Sequence, residues 1–445
     1  MANWVNQSVF YHIYPLGFCG APHQNDSKVE PRIEKVIDWI PHLLDLGVNA
    51  VYLGPVFSST EHGYDTKDYY RVDERLGTNE SLKNVVKALH DNGIRVILDG
   101  VFNHVGREFW AFEDVKRNGR DSKYCSWFQN LNFGGDSPMG DPFWYEAWEG
   151  HYDLVKLNLN HPEVTEHLLG AVSMWMDEFE IDGLRLDVAN CLTMEFIRTL
   201  NQFTKSKKPD FWLMGELIHG DYSRFARPGM LDSATNYECY KGIYSSHNTK
   251  NYFEIAHSLN RQFGSGGIYR DICTYNFVDN HDVTRIASIL ISPQDIDNVY
   301  TLLFTMPGVP SIYYGSEWGI RGKKEQGSDW ILRPSLTLES DSEKDDHIYR
   351  HIKNLSKIRK QFIPLQTGRY EQIVIKNQQF IFCRSEGEQT VYIALNLSDQ
   401  SETLSFPARD GIYYDYLHYP EEVAAQGGQL QVTVASKGAS ILTKK

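Results

Sequence analysis

The sequence predicts an α/β protein built on a (β/α)8 TIM barrel, with a small subdomain inserted after the third strand and an antiparallel β-sandwich at the C-terminal end. Short β-branched runs alternate with helical stretches along most of the 445 residues. The runs are nearly continuous in apolar residues, which is typical of parallel strands covered on both faces. The alternation is broken after the third run and ends before the last eighty residues or so, which places the two additions.

Eight runs predict the barrel strands. They lie at residues 9–14, 48–53, 95–98, 183–187 and 211–216, and three further runs end at Asn236, Phe277 and Tyr314. Apolar residues at helical spacing predict helices around residues 33–46, 82–91, 164–179 and 193–203. Eight strand–helix units suit a closed barrel better than an open doubly wound sheet. We therefore assign residues 1–103 and 156–364 to the barrel.

Two regions depart from the alternation. Residues 104–155 are rich in glycine and tryptophan and contain loop-like stretches such as NFGGDSPMGDP at 132–142, so they predict the inserted subdomain. From residue 365 onward the apolar residues alternate with a period of two, between turn signals. Runs at 370–375, 379–384, 390–396 and 429–434 predict an antiparallel β-sandwich over residues 365–445.

The composition limits the partners and the compartment. The net charge of −14 argues against nucleic acid and anionic membranes as partners. Residues 1–7 lack the basic and apolar pattern of a signal peptide, and no stretch approaches the about 20 apolar residues of a membrane helix. Six scattered cysteines without a CxxC pair favour reduced thiols. We expect a cytoplasmic protein.

Polar residues end several predicted strands, where a barrel of this kind forms its active site. They are Asp99, Asn103 and His104 around the third strand, Arg185 and Asp187 in the fourth, Glu216 in the fifth, and Asp279, His281 and Asp282 after the seventh. A single aspartate at a strand end is usually a cap or turn residue. The combination over four strands favours an active site.

Two of these carboxylates have contrasting neighbours. Period-two geometry puts Arg185 and Asp187 on one face of the fourth strand, so the guanidinium is expected to lower the pKa of Asp187 and keep it ionised. Glu216 follows the apolar residues 211–215, and burial there is expected to raise its pKa, as a general acid requires. Carboxyl groups with opposed pKa shifts are typical of glycoside hydrolysis. Asp282 is a third carboxylate, which is expected to stabilise or orient the electron-poor sugar ring.

Short segments resemble the motifs of the α-amylase family of glycoside hydrolases, in the family's order. They are DGVFNH at 99–104, GLRLD at 183–187, GEL at 215–217 and FVDNHD at 277–282, flanked by HGYD at 62–65 and YYGSE at 313–317. The resemblance covers the barrel from Val9 to about Arg359. The inserted subdomain and the C-terminal sandwich lie where the family has them.

The resemblance implies a retaining hydrolase of α-1,4 or α-1,6 glucosidic bonds in maltooligosaccharides or related α-glucans. Asp187 would be the nucleophile, Glu216 the acid and base, and Asp282 the residue that favours the distorted sugar of the transition state. The family's substrate-binding positions correspond to Tyr64, Asp65, His104, Arg185, His281, Asp329 and Arg333. Asp99 would be a structural partner near the site.

Three segments resemble one branch of the family, the cyclomaltodextrinases, neopullulanases and maltogenic amylases: KLN at 156–158, NHPEV at 160–164 and DVAN at 187–190. Ile218 and Cys191 stand where that branch has other residues, which leaves the substrate and the balance of hydrolysis against transfer open. The barrel begins almost at once, without the branch's N-terminal β-domain. Because that domain builds the branch's dimer, a monomer is favoured.

Further expectations concern cofactors and alternative functions. No cofactor is expected to be required, and no His/Cys cluster suits zinc. The resemblance allows a structural calcium ion with Asn103 as a candidate ligand. The alternatives to a hydrolase are a transglycosylase or a sucrose- or trehalose-directed enzyme on the same fold, and a non-catalytic carbohydrate-binding protein. Loss of a catalytic carboxylate would indicate the last, and all three are present.

Overall fold

Eight parallel strands form the central sheet in the computed structural model, which describes residues 4–339, 345–418 and 421–444. The strands are Phe10–Ile13 (β1), Ala50–Leu53 (β2), Arg95–Gly100 (β3), Gly183–Leu186 (β4), Trp212–Gly215 (β5), Ser233–Ala234 (β6), Tyr275–Asn276 (β7) and Val309–Tyr313 (β8). Strands β1 to β6 pair in chain order, and β8 pairs with both β7 and β1. A parallel bridge from Thr235 to Tyr275 joins β6 to β7 and closes the barrel.

The predicted TIM barrel is confirmed, and the ends of all eight strands fall within two residues of the prediction. Apolar side chains from successive strands meet inside the barrel and form a separate core. These residues are Phe10, Tyr52, Ile97, Trp212, Met214, Tyr275, Phe277 and Val309, together with Val5 and Ala50. Strand residues that point the other way are also apolar because helices cover them, which explains the continuous runs in the sequence.

Helices follow most strands. Those of the barrel are Pro15–Phe18, Lys35–Asp38, Ile40–Asp45, Asn79–Asp91, Pro162–Glu178, Met194–Lys207, Tyr237–Asn248, Phe253–Phe263, Ile286–Ile289, Ile296–Thr305 and Asp346–Gln361, and Ile363–Thr367 leads into the C-terminal sheet. The helix expected at residues 33–46 is split at Trp39, because Pro41 has no N–H to continue the ladder of backbone hydrogen bonds. No helix of the described residues combines the length and apolar character needed to span a bilayer.

The unit after β5 differs from the predicted alternation. Residues 216–232 contain a single 3-10 turn, Tyr222–Arg224, and no α-helix. Gly220 and Gly229 both adopt positive φ, at 90° and 79°, and Pro228 precedes the second of them. These residues oppose a helix because proline lacks the amide donor and the positive φ values leave the helical region. The expectation of a helix after every strand is wrong at this point.

The segment between β3 and the helix Pro162–Glu178 forms a small sheet, and its aromatic rings are continuous with the main hydrophobic core. Its strands are His104–Gly106, Ala147–Trp148 and His151–Lys156, with the third in the middle, and a helix runs from Trp110 to Asn118. Phe112 contacts the rings of Phe128, Phe143 and Tyr145 at right angles. Such edge-to-face contacts between aromatic rings stabilise this part of the core.

The C-terminal region is a single antiparallel sheet of eight strands. They are Arg369–Ile375 (β9), Gln379–Glu386 (β10), Gln389–Asn396 (β11), Glu402–Pro407 (β12), Gly411–Asp415 (β13), Glu421–Gln426 (β14), Gln429–Val434 (β15) and Ala439–Lys444 (β16). Their order in the sheet is β9-β10-β11-β16-β13-β14-β15-β12. Ile381 of β10, Leu404 of β12 and Leu430 of β15 share one apolar core, so the sheet folds over itself as a sandwich. The predicted strands are found here, and all six cysteines of the chain are free thiols.

Arg75 is fully buried and fixes the loop that carries Tyr64. Its Nε and Nη2 each donate to a different carboxylate oxygen of Asp73 at 2.8 Å. Its Nη1 also donates to three backbone carbonyls, those of Pro22, His23 and Glu61. One side chain thus ties the N-terminal segment to the loop beside the cleft.

Replacing Arg75 with Met is expected to lower the free energy of unfolding by about 3–5 kcal/mol, because the buried carboxylate of Asp73 loses its only ionic partner among the described residues. Chemical denaturation at pH 7 measures the change. Arg71→Met is the matched control, since the Arg71 side chain is 67% exposed and lies 3.8 Å from Glu74. That exposed pair contributes at most about 1 kcal/mol. Equal losses for the two variants would contradict this account of Arg75.

Candidate active site

The polar residues predicted at the strand ends come together at one rim of the barrel. Asp99 lies in β3, Arg185 in β4, and Asp187 and Glu216 directly follow β4 and β5. The Arg185 Nη1 donates to Asp99 Oδ1 at 2.8 Å and to Asp187 Oδ1 at 2.9 Å. Its Nη2 lies 2.8 Å from Glu216 Oε2. One guanidinium therefore holds three carboxylates from three strands in a fixed arrangement.

The turn after β4 brings Asp187 and Glu216 into register. Val188 has φ 38° and ψ 51°, in the left-handed region that β-branched residues rarely adopt. Its amide donates to Glu216 Oε2 at 3.0 Å, and the next amide, of Ala189, donates to the Glu216 carbonyl at 3.1 Å. Strained backbone of this kind persists only where surrounding contacts fix it, and it is concentrated at functional sites.

The pKa of Asp187 is raised well above its ordinary value. Burial is the main cause, and the carboxylates of Glu216 and Asp99 add to it, while the Arg185 guanidinium acts in the opposite direction. The expectation of a lowered pKa is therefore wrong. That expectation included the effect of the arginine two residues away in the same strand, but not the effect of the carboxylates contributed by other strands. The cluster holds a proton more tightly than an isolated aspartate would.

Glu216 lies in a polar setting rather than the apolar one expected from residues 211–215, whose Trp212 and Met214 belong to the barrel core. Its Oε1 accepts a hydrogen bond from the Tyr237 hydroxyl at 3.3 Å. That hydroxyl in turn accepts from Asn280 Nδ2 at 3.1 Å. Tyr237 was missed from the sequence, although it begins the helix just after β6 and the strand-end rule could have found it.

Asp282 is held in its charged form. Its Oδ1 lies 3.0 Å from Arg333 Nη2 and its Oδ2 lies 3.0 Å from His281 Nε2. Burial opposes ionisation, but His281, Arg333 and Arg185 outweigh it and hold the pKa of Asp282 below its ordinary value. Arg333 Nη2 also donates to Asp329 Oδ2 at 3.4 Å, so these two predicted substrate-binding residues meet beside Asp282.

Tyr64 and His104 lie on either side of the carboxylates. The Tyr64 ring stacks on His281 with centroids 5.6 Å apart, and its hydroxyl donates to Asp99 Oδ2 at 3.1 Å. His104 Nε2 lies 3.9 Å from Asp187 Oδ2. Burial lowers the pKa of His104 to about 3, so the imidazole is neutral at pH 7. In the described part of the chain this nitrogen has no hydrogen-bond partner, which leaves it for a ligand hydroxyl.

Asp65 lies beneath the loop rather than at the surface of the cleft. Its carboxylate accepts hydrogen bonds from three backbone amides, those of Glu61, His62 and Gly63. The contacts use both oxygens to shape the turn that presents Tyr64. Arg185 and His281 likewise lie behind the residues that line the cleft. Asp65 therefore supports the loop that carries Tyr64, and its predicted contact with the substrate stays a prediction.

An open cleft of about 840 Å³ lies over the carboxylates, within the range of small-ligand sites, roughly 300–1,000 Å³. Of the predicted residues, Tyr64, His104, Asp187, Glu216, Asp282, Asp329 and Arg333 line it. It is also lined by His23, Trp148, His151, Ile218, Tyr237, Lys324 and Trp330. Three of these additional residues, His23, Ile218 and Lys324, come from loops, where apolar periodicity gives no signal.

Asn103, the candidate calcium ligand, is buried just after β3. Its Oδ1 is buried without a hydrogen-bond partner, and its Nδ2 lies 3.1 Å from His104 Nδ1. Across residues 4–339, 345–418 and 421–444, no three His, Cys, Asp or Glu side chains converge as a metal site would require. Calcium takes six or more oxygen ligands, of which Asn103 supplies one.

Comparison with known proteins decides the family. The family model described as "Alpha amylase, catalytic domain" matches residues 13–351, from the start of the barrel to the helix after β8. The chain belongs to the alpha-amylase family. The resemblance inferred from the motifs is thereby confirmed, and so is the reaction class of a glycoside hydrolase.

Relatives and solved structures of this alpha-amylase family member agree with the predicted branch. A cyclomaltodextrinase of Geobacillus thermopakistaniensis is 30% identical over 436 residues, which cover 91% of this chain and 71% of the relative. A maltogenic alpha-amylase of Bacillus acidopullulyticus is 32% identical over 464 residues, covering 96% and 75%. A solved cyclomaltodextrinase superposes with a TM-score of 0.89 at 28% identity, over 100% of this chain and 79% of that one.

Proposed function

We propose that this enzyme hydrolyses α-1,4-glucosidic bonds of short maltooligosaccharides with retention of configuration, through Asp187, Glu216 and Asp282. The observation that carries the proposal is the attachment of Asp187 and Glu216 to the two nitrogens of one guanidinium at the floor of the cleft. Relatives named cyclomaltodextrinase, maltogenic alpha-amylase and neopullulanase support an α-glucan as the substrate.

In the first step, a carboxylate oxygen of Asp187 attacks C1 of the donor sugar while Glu216 gives its proton to the glycosidic oxygen. The C1–O bond breaks, the protonated leaving sugar departs, and a β-glycosyl ester forms on Asp187. In the second step, Glu216 takes a proton from water, and the water oxygen attacks C1 and frees Asp187. Two inversions give a product with the α configuration of the substrate.

Three neighbours serve the transition state. Asp282, kept ionised by His281 and Arg333, stabilises the positive charge that develops on the sugar ring. The unpartnered nitrogen of His104 is suited to a hydroxyl of the same sugar. The Tyr64 ring presents an aromatic face on which the same sugar can stack.

Transfer to a second sugar is the competing reaction. Ile218, 44% exposed, lines the cleft two residues from Glu216, on the side where the leaving group departs. An apolar residue there favours a sugar acceptor over water, because a sugar ring covers it and water does not. Glycosyl transfer would appear as products longer than the substrate.

Incubation with maltotriose, maltoheptaose, cyclodextrin, pullulan, sucrose and trehalose, followed by product chromatography, tests the proposal. We expect shorter oligosaccharides from the linear maltooligosaccharides, and proton NMR should detect the α anomer first. Turnover of sucrose or trehalose alone would favour the alternative enzymes. If no α-glucoside is cleaved, or if the β anomer forms first, the proposed function is wrong.

The raised pKa of Asp187 predicts the acidic side of the pH profile. Because the nucleophile must be deprotonated, kcat/KM should rise with pH. The midpoint of this rise should lie above about 4, the ordinary pKa of an aspartate. Glu216→Gln removes a negative charge that raises this pKa, so its midpoint should move to lower pH. α-Maltosyl fluoride is the substrate for both measurements, because fluoride leaves without a proton. An upward shift in the variant would contradict the coupling.

A cytoplasmic location and a monomeric state complete the proposal. A relative of Bacillus subtilis named "Intracellular maltogenic amylase" is 30% identical over 464 residues and supports the location. Light scattering after size-exclusion chromatography tests the state. A mass near 51.3 kDa is expected, and twice that mass would contradict the monomer.

A further inference from the structure

The two ends of the cleft have different chemical roles. Glu216 protonates the leaving oxygen, so Tyr237 and Ile218 beside it lie on the leaving-group side. Asp282 and Arg333 lie on the donor side, which receives the sugar that becomes bonded to Asp187 and any sugars attached to its non-reducing end. The residues beyond Arg333 therefore decide how many donor sugars fit.

A pair of stacked rings lies beyond Arg333 on the donor side: Arg333 lies over the Tyr14 ring, 4.4 Å from its centroid, and the Trp330 ring lies 6.2 Å from Tyr14. The rings of Trp330 and His23 lie parallel, with centroids 3.8 Å apart and planes inclined by 6°. Both residues line the cleft, yet they come from opposite ends of the barrel sequence. A spacing of 3.8 Å is van der Waals contact, so no sugar ring passes between them.

Both partners of the stack are anchored from below. The His23 carbonyl accepts a hydrogen bond from the buried Arg75 at 2.6 Å. Trp330 begins a 3-10 turn whose Leu332 carbonyl accepts from Arg285 Nη2 and from the Tyr313 hydroxyl, each at 2.9 Å. The two backbones are thus held by residues of the barrel.

We propose that the His23–Trp330 stack ends the donor side of the cleft, so that the enzyme removes short units of fixed length from the non-reducing ends of α-glucans. This rests on the proposed function and specifies its mode of attack. A chain that runs past Arg333 meets the stacked rings and stops there. Internal bonds of a long chain would need donor sugars beyond that point and are protected.

The test compares wild-type enzyme with His23→Ala and Trp330→Ala on maltoheptaose and amylose. Wild-type enzyme should form one dominant short product. The iodine staining of amylose should stay nearly unchanged while reducing ends accumulate. Each alanine variant removes one ring of the stack and opens the donor end of the cleft, so longer products should appear. The decrease in iodine staining for each new reducing end should become several-fold larger than with wild-type enzyme. Trp330→Phe keeps a ring on His23 and should restore the wild-type pattern. Phe253→Ala removes an exposed ring, 47% accessible, from a helix outside the cleft and serves as the matched control.

A binding series separates this inference from the proposed function. In the Glu216→Gln background, affinity measured by calorimetry for maltose through maltohexaose should level off at a short length. With His23→Ala added, affinity should continue to rise with length. Unchanged product lengths in both alanine variants, or the same plateau with and without His23, would overturn the inference. An inactive wild-type enzyme would instead overturn the proposed function, and the binding series would still decide the role of the stack.

Discussion

Replacing Asp187 with Ala is expected to lower kcat/KM for maltotriose by about four to six orders of magnitude, as the loss of a covalent nucleophile does in other enzymes. The carboxylate is buried, it accepts from Arg185 at 2.9 Å, and its Oδ2 lies 3.9 Å from His104, whereas the methyl group of alanine has no oxygen that could attack C1. Steady-state kinetics on the purified variant measure the loss.

Two further measurements separate a missing nucleophile from a damaged fold. Asp121→Ala removes an exposed aspartate from the inserted segment and should keep wild-type activity. Azide is small enough to enter the space left by the Asp187 side chain and should form a β-glycosyl azide from α-maltosyl fluoride. Activity of Asp187→Ala within tenfold of wild type would refute the assignment.

Glu216→Gln is expected to lower kcat/KM much more for substrates whose leaving group needs a proton than for substrates whose leaving group does not. For maltotriose, whose leaving oxygen must be protonated, kcat/KM should fall by about two to four orders of magnitude. α-Maltosyl fluoride needs no proton on its leaving group, so formation of the glycosyl-enzyme from it should be far less affected. Glutamine keeps the shape of the side chain and one oxygen for the Val188 amide, while it removes the proton and the charge that faces Arg185.

The difference between the two substrates tests whether Glu216 acts as the general acid. Burst amplitudes with the fluoride report formation of the intermediate separately from its hydrolysis, which also needs Glu216. Tyr237→Phe is a milder companion, since it removes the hydroxyl that donates to Glu216 Oε1 and leaves the carboxyl in place. Equal losses on both substrates for Glu216→Gln would show that the residue does not act as the acid.

The barrel and the position of the carboxylates at its rim could be predicted because both depend on local sequence. A buried parallel strand is a short apolar run, and Asp187 and Glu216 directly follow such runs, so their shared position at one rim follows from barrel geometry. The same reasoning identified Asp282 beyond β7. It failed after β5, where Gly220, Pro228 and Gly229 replace a helix by a loop.

The electrostatics and the cleft walls could not be predicted, because they arise between distant segments. The pKa direction of Asp187 depends on Glu216 and Asp99, which belong to other strands, and it opposes the effect of Arg185 alone. The stack of His23 on Trp330 brings together residues that no local pattern relates.

The most direct test of the central claim is to trap the intermediate and identify the residue that carries it. Glu216→Gln incubated with a 5-fluorinated α-maltosyl fluoride should accumulate a glycosyl-enzyme, because the fluorine slows hydrolysis and the variant lacks the base. Proteolysis and mass spectrometry should place the added mass on Asp187. An adduct on a different residue, or a wild-type enzyme that turns over the reagent with no adduct on any peptide, would contradict the account.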